Sequence, residues 1–214
     1  MARWLLTRRG MLAYSPAHAG GFARSRETLD EPDLQFVFTP ASYSEEGVTG
    51  QLQDMPGMTI GVWQCRPESR GFVRARDAAP RQAPAIQPNY LMVLEDREAA
   101  VTGLRIARRL LGTRALAPWS AAETALGPGQ LGDDALLAYA RAKGATVYHL
   151  CGSCRMGDDG TPLTPDLRLR GVDGLRVADA SVMPRIVSAN TNATTMMIAA
   201  KAVNRAGFGG GSEP

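Results

Sequence analysis

Nowhere in this 214-residue sequence does a strand pattern run into a Gly-x-Gly-x-x-Gly turn, the element that seats a dinucleotide's pyrophosphate on a helix N-terminus. That absence removes a self-contained nucleotide-binding half from the possible readings. Lysine is scarce too: of 24 basic residues only Lys143 and Lys201 are lysines, and the formal net charge is +3. No long basic stripe interleaved with aromatics occurs, so no nucleic-acid partner is expected, and Arg108-Arg109 and Arg168-x-Arg170 read as solvated faces or ion-pair partners. The cysteines are Cys65, Cys151 and Cys154, an odd number in a chain too long to need staples, which fits a reducing compartment.

No apolar run approaches the roughly 20 residues that a bilayer-spanning helix requires. Thr7-Arg8-Arg9-Gly10-Met11-Leu12 imitates a twin-arginine export start and Ala17-His18-Ala19 a cleavage site, yet Ala13-Tyr14-Ser15-Pro16 between them is too short and polar for an apolar h-region. A cytoplasmic location is expected.

With 44% hydrophobic and 21% charged residues, the chain has the composition of a globular protein of one or two domains. Trp4-Leu5-Leu6, Pro16 and Gly20-Gly21 read as a helix end and a loop within residues 1–30. Leu34–Thr39 alternates and is aromatic and β-branched, which predicts a strand ended by Pro40. A polar loop is expected from 41 to 57. Met58–Cys65 and Gly71–Arg76 then predict two strands paired antiparallel across the turn Arg66–Arg70, and Pro80, Pro84 and Pro88 keep the next stretch extended.

Val101, Leu104, Ala107 and Leu111 predict a helix over 95–111, with acids early and arginines late. A connection covers 112–131. Asp133 or Asp134 would cap a second helix ending at Gly144. Leu175–Ala178 reads as a short strand and Asn192–Ala206 as a last helix, with Met196, Met197, Ala200 and Val203 on one face. Strands followed by helices, then one terminal strand and helix, make this an α+β chain whose last piece belongs to another sheet.

Chemistry concentrates in the last third. His149 is one of two histidines, and it lies between Tyr148 and the turn Gly152-Ser153, where an imidazole can accept a proton at neutral pH. Its alternative is a structural bond to backbone. Cys151-Gly152-Ser153-Cys154 raises two rivals: a redox dithiol, for which the βαβ surroundings are missing, and a zinc site using His149, Cys151 and Cys154, which needs a fourth ligand with Cys65 or His18 as the other soft candidates. Packing is the plainer role for these cysteines. Asp179 ends the predicted strand where ribose or ribityl hydroxyls find acceptors, and Asn192 caps the last helix, aiming free amides at an anionic ring. Either residue alone would more simply cap a turn.

In order, His149-x-x-Gly152-Ser153-Cys154-Arg155-Met156-Gly157, Gly171-Val172-x-Gly174-Leu175-Arg176-Val177-Ala178-Asp179-Ala180-Ser181-Val182-Met183-Pro184 and Asn190-x-Asn192-Ala193-Thr194 resemble the C-terminal region of glucose-methanol-choline (GMC) oxidoreductases. Arg66–Gly71, Pro84–Leu91 and Asp30–Phe36 resemble that family's substrate domain. The resemblance implies an antiparallel-sheet substrate domain over 1–144, a catalytic loop and C-terminal segment of an FAD-binding α/β domain over 145–206, and a tail over 207–214. It implies FAD as cofactor and a small-molecule alcohol as substrate, with oxygen or a quinone-like compound as electron acceptor and a membrane association if the acceptor is a quinone. His149 matches the family's catalytic histidine and Asn190 its partner, while Tyr148, Asp179, Ala180, Thr191 and Asn192 match positions lying against the FAD.

Leu150 and Cys151 depart from the Pro and small residue common after that histidine, and Ser153 replaces Thr. The family's amino-terminal half, with most FAD contacts, has no counterpart here. The chain is therefore expected to be a C-terminal portion that is inactive alone, and Leu5–Gly10 matches interior sequence. A non-catalytic metal- or redox-binding module built on His149, Cys151 and Cys154 is the competing expectation; a truncated gene product without function is a third.

Overall fold

The computed structural model describes residues 2–10, 13, 15, 17–43, 52–127, 129 and 132–205. The expected tail, 207–214, and most of the expected loop after Tyr43 lie outside the described residues. The chain divides into two compact units, one comprising Met1–Gln64 and Val93–Val147, the other Cys65–Met92 and Tyr148–Pro214.

In the first unit a short helix, α1 (Ala2–Thr7), precedes strands β1 (Ala19–Ala23), β2 (Leu34–Thr39) and β3 (Thr59–Gln64), which form an antiparallel sheet in the order β1-β2-β3. Alternation in β2 places Leu34 and Phe36 in the core, and the register sets Phe36 opposite Gly21 and Val62. Trp63 and Gln35 share the other face, where the indole Nε1–H donates to Gln35 Oε1 at 3.0 Å. Helix α2 (Leu94–Leu111) packs on the core face. It does so through Ala99, Gly103 and Ala107 rather than through Leu104 and Leu111, which are half-buried. Small side chains let it come close: a Cβ on Gly103 would stand 2.8 Å from Val62 Cγ2.

Helix α3 (Asp133–Lys143) lies beside α2, and Arg105 pairs with Asp133. Asp133 and Asp134 sit inside its first turn, not at the cap, which is Gly132, so they act on the helix dipole instead. Gly144 does end the helix, in extended backbone.

Two expectations about strands are corrected. Residues 58–65 and 71–76 do not pair with each other: β3 pairs with β2, whereas β4 (Phe72–Arg74) pairs with β5 (Ala85–Gln87) in the second unit. The chain turns at Arg66, with φ 72°, as it passes from one unit to the other. Leu175–Ala178 is no strand but an extended segment touching 167–169 through the isolated bridge Arg168–Arg176 and the bonds Leu169 N–H to Leu175 O and Val177 N–H to Leu167 O. No parallel neighbour accompanies it among the described residues.

The second unit's core is Leu163, Val182, Met183 and Ile198, the last on helix α4 (Asn192–Arg205). Ile198 anchors α4, so the face read from the sequence is turned outward: Met196, Met197, Ala200 and Val203 are all exposed.

Candidate active site

His149 enters the site from a loop held in uncommon backbone. Tyr148 before it has φ 62°, and Gly152 after it has φ 84°. A Cβ on Gly152 would also stand 3.2 Å from the Met183 carbonyl oxygen. Both facts select glycine, because a left-handed backbone costs an L-residue roughly 1–2 kcal/mol. Gly152→Ala is expected to lower stability by about that much, read as a fall in the urea midpoint without a change in slope.

Beyond Gly152 the loop docks on its neighbours through the backbone. Cys154 N–H donates to Ser181 O at 3.0 Å and Met156 N–H to Val182 O at 2.9 Å. This ties it to the 3-10 turn Ala180–Val182, which Asp179 caps by accepting from Ser181 N–H at 2.8 Å and Ser181 Oγ–H at 2.5 Å. Asp179 therefore holds a turn, and its residue is exposed.

Cys151 and Cys154 pack against the core beside Met156 and Ala180. Burial pushes the Cys151 thiol above its ordinary value, with Arg70 pulling weakly the other way. A reactive dithiol needs the opposite displacement. Among the described residues, no group of three or more His, Cys, Asp and Glu side chains is placed to hold a metal ion.

Helix α4 brings the partners of the imidazole. Its first residue is Asn192; the cap position expected for Asn192 falls to Thr191, whose carbonyl accepts Thr195 N–H at 2.9 Å. Asn190 Nδ2 stands 2.7 Å from His149 Nε2, and Thr191 Oγ1 stands 3.1 Å from His149 Nδ1. Two consecutive residues thus engage both ring nitrogens. The structure brings His149, Asn190 and Thr191 together, while Tyr148, the residue before His149, is exposed and Asn192 is exposed on the first turn of α4. Ala180 is half-buried against the core.

An open depression of about 570 Å³ lies elsewhere in the unit, lined by residues including Arg168, Arg170 and Arg176, and contains neither His149 nor Asn190. Gly127-x-Gly129-x-x-Gly132 has the bare glycine spacing of a phosphate turn before α3. Its flanks do not suit that role, because a 3-10 turn rather than a strand precedes it and two aspartates open the helix that follows, repelling an anion.

What these parts define is an imidazole whose two ring nitrogens meet an amide and a hydroxyl just ahead of a helix. A family model for the C-terminal domain of the GMC oxidoreductases matches residues 67–199. The chain is 36% identical over 200 residues to the alcohol dehydrogenase (acceptor) of Pseudomonas putida, covering 93% of this chain and 36% of that protein. It is 39% identical over 205 residues to the oxygen-dependent choline dehydrogenase of Xanthomonas campestris pv. campestris, covering 95% and 36%. It superposes on pyridoxine 4-oxidase of Mesorbium loti with a TM-score of 0.80 at 24% identity, over 90% of this chain and 38% of that one.

The chain belongs to the GMC oxidoreductases. It spans 36% of the length of each of these two curated relatives. The family and its FAD-dependent structural neighbours imply FAD as the cofactor. No described helix is long and apolar enough to cross a membrane.

Proposed function

We propose that this chain supplies the substrate-handling and proton-accepting portion of an FAD-dependent oxidoreductase acting on primary or secondary alcohols. The observation that supports the reading is the direct contact between the Asn190 amide nitrogen and His149 Nε2, at 2.7 Å. FAD, when bound, supplies the hydride acceptor. His149 Nε2 takes the hydroxyl proton, and Asn190 Nδ2 donates to the alcohol oxygen and holds it for the transfer. An incoming hydroxyl would take over the contact between the amide and Nε2 and draw the amide onto its oxygen.

The residues fit a flavin in part. Tyr148, Asp179, Ala180, Thr191 and Asn192 are the residues that would contact the flavin, and the start of α4 would favour negative charge on its reduced form. Nothing in the sequence cradles the diphosphate. The names of the relatives point to alcohols, choline among them, as the substrate class.

Accordingly, the purified 214-residue chain is expected to take up no stoichiometric flavin and to show no alcohol oxidation. A yellow one-to-one complex in absorbance would overturn that expectation. A chimera joining the amino-terminal part of the Pseudomonas putida relative to this chain is expected to bind flavin and to bleach on addition of alcohol under anaerobic conditions. A loaded chimera inert to a panel of primary and secondary alcohols would refute the function.

A further inference from the structure

We propose that Asn190 and Thr191 together hold His149 as its Nδ1–H tautomer, Asn190 by donating to Nε2 and Thr191, a positioning residue, by accepting the Nδ1 proton, which leaves Nε2 as the proton acceptor. The inference rests on the reading of His149 as base and says how the ring is kept ready for that task. A neutral imidazole carries one N–H and one lone pair, and only the nitrogen with the lone pair can take a proton. The amide nitrogen of Asn190, 2.7 Å from Nε2, can only donate, so Nε2 must present its lone pair. The ring proton is then on Nδ1, 3.1 Å from the Thr191 hydroxyl oxygen, which accepts it.

Three features make Thr191 suited to this. It is 6% exposed, so water competes little for its hydroxyl. Its carbonyl accepts both the N–H and the Oγ1–H of Thr195, at 2.9 and 2.8 Å, which pins the residue to the first turn of α4. It also occupies the cap position, where a threonine oxygen ordinarily accepts a helix amide. Here, among the described residues, that oxygen meets the imidazole and no helix amide. A capping bond is forgone in favour of a bond to His149.

The bond also survives the reaction. When Nε2 gains the substrate proton, Nδ1–H still donates to Thr191 Oγ1, so the ring keeps its orientation while its charge changes. Without Thr191 the Nδ1 proton loses its acceptor and only the Asn190 amide still favours this form, so the Nε2–H form gains population.

The sequence makes the test direct, because His18 and His149 are its only histidines. Two-bond ¹H–¹⁵N correlation spectra of the full chain labelled at histidine, with His18→Gln used for assignment, report which nitrogen of each ring is protonated. At a pH where the ring is neutral, His149 is expected to show the Nδ1–H pattern. Thr191→Val, which keeps the shape and removes the hydroxyl, is expected to shift the pattern part of the way toward Nε2–H, and Thr191→Ser to leave it unchanged. An Nε2–H pattern in the wild-type chain, or an unchanged Nδ1–H pattern in a folded Thr191→Val chain, overturns the proposal. Should the valine variant fail to fold, the wild-type and serine spectra still decide. The tautomer is read without turnover, so a failure here leaves the base role standing, and a fully active His149→Ala enzyme would remove the base role while leaving the tautomer as measured.

Discussion

In the flavin-loaded chimera, replacing His149 with alanine is expected to lower turnover by about 10²–10⁴-fold, the range that a positioned general base contributes. The effect should fall on kcat, with KM changing little, because the imidazole acts on a proton that moves in the transition state and provides little of the ground-state binding. Asn190 remains to hold the alcohol oxygen, so residual activity above background is part of the expectation. Stopped-flow measurement of flavin bleaching under anaerobic conditions isolates this step from any later reaction with the electron acceptor. A loss smaller than tenfold would remove His149 from the role of base.

Leu163→Ala is expected to cost about 2–5 kcal/mol, the range for a buried leucine truncated in a core that cannot collapse around the gap. Leu163 is fully buried and meets Val182, Met183 and Ile198. It also organises the loop through its backbone, donating to Arg155 O and accepting from Gly157 N–H and Thr161 Oγ1–H. A loss of that size is a large part of the stability of an ordinary domain. The chain carries its own reporters for the measurement: Trp4, Trp63 and Trp119 all fall in the first unit, and His149 in the second. The denaturation transition read at the His149 ring is expected to move to lower urea. A variant whose His149 transition is unchanged would place Leu163 outside the packing that supports the site.

The first prediction concerns residues that sequence reasoning could name, and the second a residue that it could not. His149 and Asn190 are legible because they stand in ordered motifs whose resemblance to a family is specific. Leu163 is one leucine among several in a polar loop with no periodicity, and its burial comes from elements distant in the chain. The same distinction runs through the fold. Strand β2 was legible from strict alternation, and α2 and α4 from helical spacing and composition. Strand β1 was not, because Ala19-Gly20-Gly21-Phe22-Ala23 has almost no side chains to alternate, and its pairing with β2 supplies what its composition does not.

The partner of β3 was misjudged for a related reason. Nearness in sequence favours a hairpin, but the turn at Arg66 sends the chain into the other unit, where β4 meets β5 instead. On α2 the expected positions Val101 and Ala107 are buried, whereas Leu104 and Leu111 are only half-buried; the close approach through Gly103 is visible only once Val62 is known to face it. On α4 the apolar face was identified but its direction was not, since helical spacing says nothing about which side meets a core. The bond between His149 and Thr191 spans 42 positions and has no spacing signature. From the sequence, Thr191 could be placed near a cofactor but not against the imidazole.

Because Asn190 and Thr191 are neighbours in the chain, the two contacts on the imidazole share one mount. A displacement of the start of α4 carries both along together and moves the ring as a passenger, altering its distance to a substrate while leaving its protonation pattern as it was. Reach and proton inventory are thereby separable: the first can be tuned by whatever packs on the exposed side of the helix, and the second stays with two adjacent side chains.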